Sequence, residues 1–450
     1  MANWTVALTW TTFVLTYGGL ALGRIPGLRT DRAGIALVGA TVLLLTGVVT
    51  LDEAISPQSI DYKTLLLLFG MMIVVGSLRL SGFFERLTGL ALTHITTPRG
   101  MLAATIGLAG LLSAFLINDV VCVAMTPLVL HVARRLKFDP LPHLIALATA
   151  ANIGSTGTIT GNPQNIYIGT HSGISYLHFA ARLMPVAVLG LAIDYLVIVA
   201  VYRGNLAADR KPQSPPDAAE GRADRTDKAD RSGTAGRSGT AGRNSTGERA
   251  NTAARSRAHA RLQTKAVVVA LGAVVLFFTG LPLELVALGA AGLMLLGRVN
   301  PHKVYRQVDW SLLVMFAGLF VVVHAFQMHV VAGWRIDTWT WLLNRPIDLL
   351  SLVSAGLSNL VSNVPAVLLL EPVAQAMPQA NREAAWLALA MSSTLAGNLT
   401  VLGSVANLIV VENAGREGFA ISFWQYCKVG IPVTLLTLGV GIAWLEFVRY

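Results

Sequence analysis

The sequence predicts an all-α polytopic membrane protein made of two inverted repeats, with about ten spanning helices, two re-entrant hairpins and two broken helices. Three observations carry this prediction. The 450 residues are 54% hydrophobic and only 13% charged, about half the charged fraction of an average soluble domain. One charged segment separates two apolar halves, and motifs of the first half return in the same order in the second.

The net charge of +10 is concentrated in residues 204–264, which hold twelve Lys or Arg and seven Asp or Glu. This segment has too few large apolar residues to offset the entropy of ordering. The sequence therefore predicts a disordered basic linker in the cytoplasm and no nucleic-acid partner. The alternative is a basic arm that binds anionic lipid or nucleic acid.

Two apolar halves, residues 1–203 and 265–450, flank this linker. Their uncharged runs are long enough to form membrane helices. The runs are Val6–Gly23, Gly34–Thr50, Leu65–Leu78, Met101–Ile117, Val120–Val132, Leu183–Val201, Ala266–Leu281, Leu283–Gly297, Leu312–Val331, Leu349–Val361, Val364–Met377 and Val429–Val448.

Repeated motifs relate the two halves. D-Y-K-T-L-L-L-L-F-G returns as D-W-S-L-L-V-M-F-A-G, and N-D-V-V-C-V-A-M-T-P returns as N-V-P-A-V-L-L-L-E-P. The spacing between copies shortens from 250 residues for Gly39 and Gly289 to 242 residues for the last motif, which indicates one duplication. The matched motifs begin at Asp61 and Asp309, at Asn118 and Asn363, and at Thr158 and Thr400.

The positive-inside rule orients these runs. With the linker in the cytoplasm, only six of the 34 Lys and Arg fall outside. Arg99 and Arg134 then lie on the same side although two apolar runs separate them, so residues 100–133 are predicted to form a re-entrant hairpin with Asn118 at its tip. The first half crosses the membrane an odd number of times. This inverts the second half with its hairpin, residues 347–377, and places both termini in the periplasm.

A polar, glycine-rich stretch interrupts one helical segment in each half, at residues 142–176 and 385–414. Carbonyls freed at such breaks, side-chain oxygens and half-helix N-termini can bind a small ligand near the membrane midplane. The alternative is that these residues only pack helices closely. The predicted substrate-binding residues are Asn118, Asn152, Ser155, Thr156, Thr158, Asn162, Ser362, Asn363, Gly397, Asn398, Thr400, Ser404 and Asn407.

Four residues are candidates for ion coupling. Asp119 is the strongest, since an intramembrane carboxylate is costly and marks function, although Asp also suits a helix N-cap. Asp194 either couples an ion or makes a buried structural hydrogen bond, and Glu371 either couples an ion or faces the outer interface. Asn165 offers an amide oxygen to a cation such as Na⁺. His324, alone in an apolar helix, is expected to be a packing residue.

Motifs of soluble enzymes are missing from the sequence. It contains no phosphate-binding loop, nucleophile elbow or zinc-protease motif. We therefore expect no catalytic activity, and no cofactor except Na⁺ as a coupling ion.

At the hairpin and break motifs the sequence resembles the ion transporter superfamily, which includes citrate transporter-like and SLC13-type permeases and arsenical-pump membrane proteins. N-D-V-V-C-V-A-M-T-P-L-V-L, A-N-I-G-S-T-G-T-I-T-G-N-P-Q-N and S-N-V-P-A-V-L-L-L look like its signature stretches. The resemblance implies an elevator-type carrier, a homodimer among membrane lipids. Its scaffold would be fixed, and a mobile transport domain would hold the hairpins and broken helices.

The hairpin tips depart from the Ser-Asn-Thr of dicarboxylate members. They read Ile117-Asn118-Asp119 and Ser362-Asn363-Val364, which is closer to the arsenical-pump branch. The resemblance implies a secondary active transporter of a small anion or oxyanion, citrate-like or arsenite-like, in a bacterial-type inner membrane and coupled to H⁺ or Na⁺. The alternatives are an Na⁺/H⁺ antiporter and a passive anion channel.

Overall fold

The computed structural model describes residues 3–22, 30–92, 95–207, 245–296, 300–334, 339 and 345–448. These residues form helices and no strand, as the predicted all-α class requires. The α-helices are α1 (Asn3–Leu22), α2 (Arg32–Leu45), α3 (Leu51–Ala54), α4 (Tyr62–Leu80), α5 (Phe83–Leu92), α6 (Pro98–Phe115), α7 (Asn118–Leu136), α8 (Pro140–Ser155), α9 (Pro163–His171), α10 (Tyr176–Val201), α11 (Ser245–Phe277), α12 (Leu283–Leu295), α13 (Pro301–Tyr305), α14 (Trp310–His329), α15 (Asp348–Val361), α16 (Asn363–Ala376), α17 (Gln379–Ala396), α18 (Val405–Arg416) and α19 (Phe423–Val448).

Short polar side chains determine where several helices begin. Asp61 caps α4 by accepting a hydrogen bond from the backbone N–H of Thr64 at 3.2 Å, and Asp309 caps α14 through the N–H of Leu312 at 3.0 Å. Asp139 caps α8 just before a proline at the first helical position. Such caps satisfy N–H groups that have no partner within the helix. The two aspartates therefore start the two copies of the same repeated helix.

Six of the described helices are long and apolar enough to cross a membrane, which indicates a polytopic membrane protein. Three shorter apolar helices accompany them, so the expected total of about ten spans remains a prediction. The six are Trp4–Leu22, Tyr62–Leu80, Pro98–Phe115, Tyr176–Val201, Trp310–Gly333 and Phe423–Val448, and the three are Arg32–Leu45, Leu283–Leu295 and Asp348–Val361.

Helix pairs stand at the positions of the two predicted hairpins. Helices α6 and α7 form the first pair, which we call the first hairpin, and α15 and α16 form the second hairpin. Each predicted broken helix consists of two helices with a 3-10 turn between them, Ile159–Gly161 in the first and Val401–Gly403 in the second. The side of the membrane from which each hairpin enters remains a prediction.

The helices pack as two bundles with α10 and α19 beside them. We call α2, α4, α12 and α14 the first bundle. In it α2 packs on α14 and α4 packs on α12, so helices of the first half of the chain pack on helices of the second half. The second bundle holds both hairpins and both broken helices, α6 to α9 and α15 to α18. Gly70 and Gly318, equivalent in the repeated motif, allow the crossings in the first bundle. A Cβ on either would lie 2.7 Å from a backbone carbon, that of Ala287 or of Ala36.

The structure differs from the prediction of a disordered linker over residues 204–264. Residues 208–244 lie outside the described residues, Leu206 is buried, and residues 245–264 belong to helix α11. Large apolar side chains are needed to pack a helix but not to form one. Ala and Arg have high helix propensity, and the apolar segment from Ala266 onward extends the same helix and offsets the cost of nucleation.

Substituting Gly154 by Ala is expected to destabilise the second bundle. A Cβ there would lie 2.1 Å from the carbonyl oxygen of Gly110, where α8 crosses α6, and such overpacking costs about 1–3 kcal/mol or more. The control is Gly107→Ala on α6, where a Cβ would meet nothing within 4 Å. It should be neutral or stabilising, because Gly in a helix costs roughly 0.5–1 kcal/mol relative to Ala. Melting temperatures of the purified proteins measure both effects, and equal values for the two variants would contradict this crossing.

Candidate functional site

The two hairpin tips and the two helix breaks meet inside the second bundle. Asn118 and Asn363 are the first residues of α7 and α16, and Asn162 and Ser404 cap α9 and α18. All four side chains take part in the hydrogen bonds described below. Because helix N-termini carry partial positive charge, four such ends around one polar region favour electron-rich ligand atoms.

Asn152, in α8, is the centre of this region and is fully buried. Its Oδ1 accepts hydrogen bonds from Asn118 Nδ2 and from Ser404 Oγ, both at 3.0 Å. Its Nδ2 donates to Asn398 Oδ1 at 2.8 Å and to Asn407 Oδ1 at 3.0 Å. One amide thus uses its full hydrogen-bonding capacity, and it ties the first hairpin tip to the break in the other half of the chain.

Backbone carbonyls fix the direction of these amide bonds. Asn407 Nδ2 donates to the carbonyls of Gly397 at 2.7 Å and Thr400 at 3.0 Å, and Asn398 Nδ2 donates to that of Thr149 at 3.2 Å. A carbonyl can only accept, so both amides turn Oδ1 towards Asn152, whose own Oδ1 then faces Asn118. Asn118 must therefore present Nδ2 to the network. Its Oδ1 is buried without a donor among the described residues.

The second hairpin tip reaches both breaks. With its amide oriented to suit its neighbours, Asn363 donates from nitrogen to the carbonyls of Ser393 at 3.0 Å and Gly403 at 3.3 Å. Its oxygen accepts from Gln164 Nε2 at 3.2 Å. Ser362, the residue before it, has φ 78° and ψ 160°, a region almost restricted to glycine. This strained backbone joins the two arms of the hairpin directly beside the polar network.

The same amide clamp holds both breaks. Asn165 Nδ2 donates to the carbonyls of Ser155 at 3.1 Å and Thr158 at 3.0 Å. Asn407 does the same at Gly397 and Thr400, each 242 residues further along. These four carbonyls, which the sequence marks as able to bind a small ligand, accept side-chain amide protons. Asn165 Oδ1, like that of Asn118, is buried without a donor among the described residues.

Glycine at each break allows the chain to fold back on itself. A Cβ on Gly161 would lie 2.3 Å from the carbonyl oxygen of Ser155, and one on Gly403 would lie 2.8 Å from that of Gly397. Either contact would push the 3-10 turn away from the preceding helix. These glycines let each clamping asparagine reach the carbonyls before the turn.

Three predicted residues serve mainly the break itself. Thr156 Oγ1 donates to the carbonyl of Asn152 at 3.2 Å, and Thr158 Oγ1 donates to that of Ala114. Asn162 Nδ2 donates to Ser155 Oγ at 3.0 Å and to Thr394 Oγ1 at 3.2 Å. Both threonines therefore bond to backbone, while Asn162 links the two breaks.

The two aspartates among the ion-coupling candidates differ in their surroundings. Asp194 is fully buried on α10, and its Oδ2 accepts from Thr149 Oγ1 at 3.0 Å while Oδ1 has no donor among the described residues. The backbone carbonyl of Thr149 accepts from Asn398 Nδ2, so Thr149 joins Asp194 to the edge of the network. Asp119 follows the first tip but makes no hydrogen bond or ion pair with any described residue, and it does not cap α7.

Glu371 lies apart from the network in a polar cavity of about 60 Å³. Its Oε2 accepts from Tyr167 OH, and its Oε1 accepts from Gln375 Nε2 at 2.7 Å. The same cavity is lined by Asp61 of α4 and by His324 of α14, which was expected only to pack. Glu371 therefore faces the first bundle across this cavity, and no contact joins it to the asparagines.

Among the described residues, positively charged side chains are absent from the interior, since no Lys or Arg is buried. Instead, at least fourteen buried Asn, Gln, Ser and Thr side chains cluster around the tips and breaks. A negative charge on a ligand would therefore be met by helix N-termini and amide dipoles and not by a buried Lys or Arg of the described residues.

Sequence reasoning missed several members of the network. Thr394 receives the amides of Asn162 and Gln164 at 3.2 and 3.1 Å. It stands 242 residues after Asn152, so the repeat spacing could have identified it. Thr149 acts through its backbone carbonyl from inside a helix, and no motif in the sequence marks it.

Comparison with known proteins gives the class. The model of the family described as "Citrate transporter" matches residues 21–396, most of the chain, so this protein belongs to the citrate transporter family. The silicon efflux transporter LSI3 of Oryza sativa subsp. japonica is 36% identical and covers 93% of this chain and 93% of its own length. A 46 kDa membrane protein of Mycobacterium leprae is 29% identical, over 97% and 98% of the two chains. A Dictyostelium discoideum protein named for the transporter arsB is 25% identical, over 92% and 87%.

Family and relatives agree with the resemblance seen in the sequence. The protein is a multi-pass membrane transporter of the anion and oxyanion class within the ion transporter superfamily. The comparisons leave its substrate, coupling ion and orientation to be argued from the site.

Replacing Asn152 by Asp is expected to lower the melting temperature markedly. A carboxylate can still accept from Asn118 and Ser404, but it places oxygen against the Oδ1 atoms of Asn398 and Asn407. A buried group left without its partner costs about 1–3 kcal/mol. The control is Thr126→Val, because Thr126 Oγ1 bonds only to the carbonyl of Cys122 one turn earlier. If Asn152→Asp melts no lower than this control, the network does not hold the bundle together.

Proposed function

We propose that the protein is a secondary active transporter of a small hydroxylated oxyacid in its neutral or singly charged form, of the arsenous or silicic acid type. The observation that carries this proposal is the pair of buried acceptor oxygens, Asn118 Oδ1 and Asn165 Oδ1, that lack a donor among the described residues.

The hydrogen-bonding character of the site favours a ligand that donates. Asn118 and Asn165 have their amide nitrogens engaged by Asn152 and by backbone carbonyls. Their free oxygens accept protons, and a hydroxylated acid such as Si(OH)₄ or As(OH)₃ offers several O–H groups. An ionised carboxylate offers only acceptors. Citrate has a single hydroxyl beside its three carboxylates, so it would leave at least one of these two oxygens without a donor, at about 1–3 kcal/mol.

The charge of the site points the same way. A citrate anion carries several negative charges, and buried charges need ionic partners or metal ions. No described Lys or Arg is buried, and Asp119 adds a carboxylate at the first tip. Four helix N-termini supply partial positive charge, enough for polarised oxygens or one negative charge. The names of LSI3 and arsB among the relatives support an oxyacid over citrate.

The finer architecture follows from the same contacts. We propose inverted repeats in which the second bundle is the mobile transport domain and the first bundle, with a homodimer contact, is the fixed scaffold. Its support is that helix order repeats between the halves and that both tips and both breaks join one network. Transport would then be an elevator movement across a bacterial-type inner membrane, with the linker in the cytoplasm and both termini in the periplasm.

Substrate counterflow in proteoliposomes tests the proposed function. Vesicles preloaded with arsenous or silicic acid should speed the uptake of the labelled acid, and citrate should have no effect. Asn118→Ala should abolish this exchange in folded protein, because Asn118 presents one free acceptor. Asn205→Ala, which removes a bond to Asp139 far from the network, should not.

Three outcomes would contradict the proposal. Exchange of citrate would restore the family's named substrate. Flux without stimulation from the far side would indicate a channel, and exchange of Na⁺ for H⁺ without an oxyacid would indicate an antiporter.

A disulfide between the bundles should stop transport. The hydroxyl oxygens of Thr64 on α4 and Thr170 on α9 lie 2.8 Å apart, so cysteines at both positions are placed to bond. In a chain whose native Cys122 and Cys427 are replaced by Ser, oxidation should block exchange and a reductant should restore it. Each single cysteine is the control. Full exchange in the cross-linked protein would rule out movement at this contact.

A further inference from the structure

We infer that Glu371, with Tyr167, His171 and Asp61 around the cavity described above, is the proton-binding site that couples transport to a pH gradient. This inference rests on the proposed transporter function and names its coupling ion and the place where that ion binds.

The cavity provides a graded route from solvent to Glu371. The distance from His171 Nδ1 to Asp61 Oδ2 is 3.5 Å. The His171 side chain is 27% exposed and the Asp61 side chain is 13% exposed. The ring of His171 stacks on that of Tyr167 at 4.1 Å between centroids, and Tyr167 OH donates to Glu371, which is 6% exposed. Ionisable groups thus follow one another from the mouth of the cavity to a buried carboxylate.

Glu371 has neutral donors only. Tyr167 OH and the Gln375 amide bond its two oxygens, and no ion pair reaches it among the described residues. Four ionisable groups of neighbouring helices line the cavity with Glu371: Tyr167 and His171 on α9, Asp61 on α4 and His324 on α14. The other ionisable groups nearby have partners of their own. Tyr17 donates to the carbonyl of Pro365 at 3.1 Å, Arg382 donates to that of Met377 at 3.3 Å, and Asp348 pairs with Arg345 at 3.5 Å.

The cavity lies between a part that moves and a part that does not. Glu371 and Tyr167 belong to the second bundle, and Asp61 and His324 belong to the first. When the second bundle slides, Glu371 leaves this polar contact for apolar surroundings, where an ionised carboxylate is costly. A proton taken up from cavity water onto a carboxyl oxygen of Glu371 removes the charge, and it is released to water on the far side.

A proton suits this cavity better than Na⁺. A proton needs only one carboxylate, which Glu371 supplies, whereas a sodium ion needs several oxygen ligands at once.

Glu371→Gln in proteoliposomes tests the assignment. The glutamine is uncharged, so the variant should still exchange arsenous acid across the membrane, with a rate that no longer changes with pH. An imposed pH gradient should no longer drive accumulation. Glu371→Asp should restore the coupling, and Tyr167→Phe should shift the pH at which the rate is half-maximal. Glu412→Gln, at an exposed glutamate that faces Arg416 at 3.9 Å, is the matched control and should behave as wild type.

The results separate this inference from the proposed function. If the wild type exchanges no oxyacid, the proposed function fails. If the wild type exchanges and Glu371→Gln still accumulates acid on a pH gradient, the inference fails. Loss of exchange in folded Glu371→Gln would place Glu371 in substrate binding and overturn the inference as well. If Asp194→Asn alone abolishes the coupling, the proton site is Asp194. Should Glu371→Gln not fold, a pH profile of Tyr167→Phe identical to wild type overturns the assignment.

Discussion

The second bundle depends on the Asn152 amide, whose two acceptor and two donor positions are all occupied by groups from three other segments. A buried amide stabilises its surroundings only when its neighbours complete it. Here the neighbours are themselves anchored, because Asn407 and Asn398 are oriented by backbone carbonyls that cannot reverse roles. These carbonyls thereby fix the orientation of the Asn152 amide, which in turn fixes that of the Asn118 amide. The Asn118 oxygen lacks a donor because its nitrogen is needed by Asn152.

This constraint connects the fold to the chemistry of the ligand. Helix breaks in a membrane must satisfy their own backbone groups, and the clamps at Asn165 and Asn407 do so with amide nitrogens. Because the amide nitrogens are used in these bonds, the amide oxygens of Asn118 and Asn165 are buried without a donor among the described residues. The proposal of a polyhydroxylated acid rather than a polyanion rests on these oxygens, on the four helix N-termini and on the absence of buried Lys and Arg among the described residues.

Much of the architecture could be predicted because it depends on patterns along the sequence. The helices, tips and breaks are located by the apolar runs, by capping aspartates such as Asp61 and Asp309, and by an offset between the halves that changes only from 250 to 242 residues. The direction of an amide cannot be predicted in this way, since it depends on which carbonyl lies across the bundle. The helix at residues 245–264 was missed because the prediction considered only the lack of large apolar side chains for packing. It did not consider the high helix propensity of Ala and Arg.

Comparing the two halves of the chain shows which features occur in both. Asn165 and Asn407 keep the same carbonyl partners at equivalent positions, and Gly70 and Gly318 keep the same close helix crossing. The carboxylates of the hairpins do not repeat: Asp119 corresponds to Val364, and Glu371 corresponds to Thr126. Clamps and crossings are demanded twice because each half must close its own break. A buried carboxylate costs free energy, and Glu371 stands in only one half, so the closing of a helix break does not account for it.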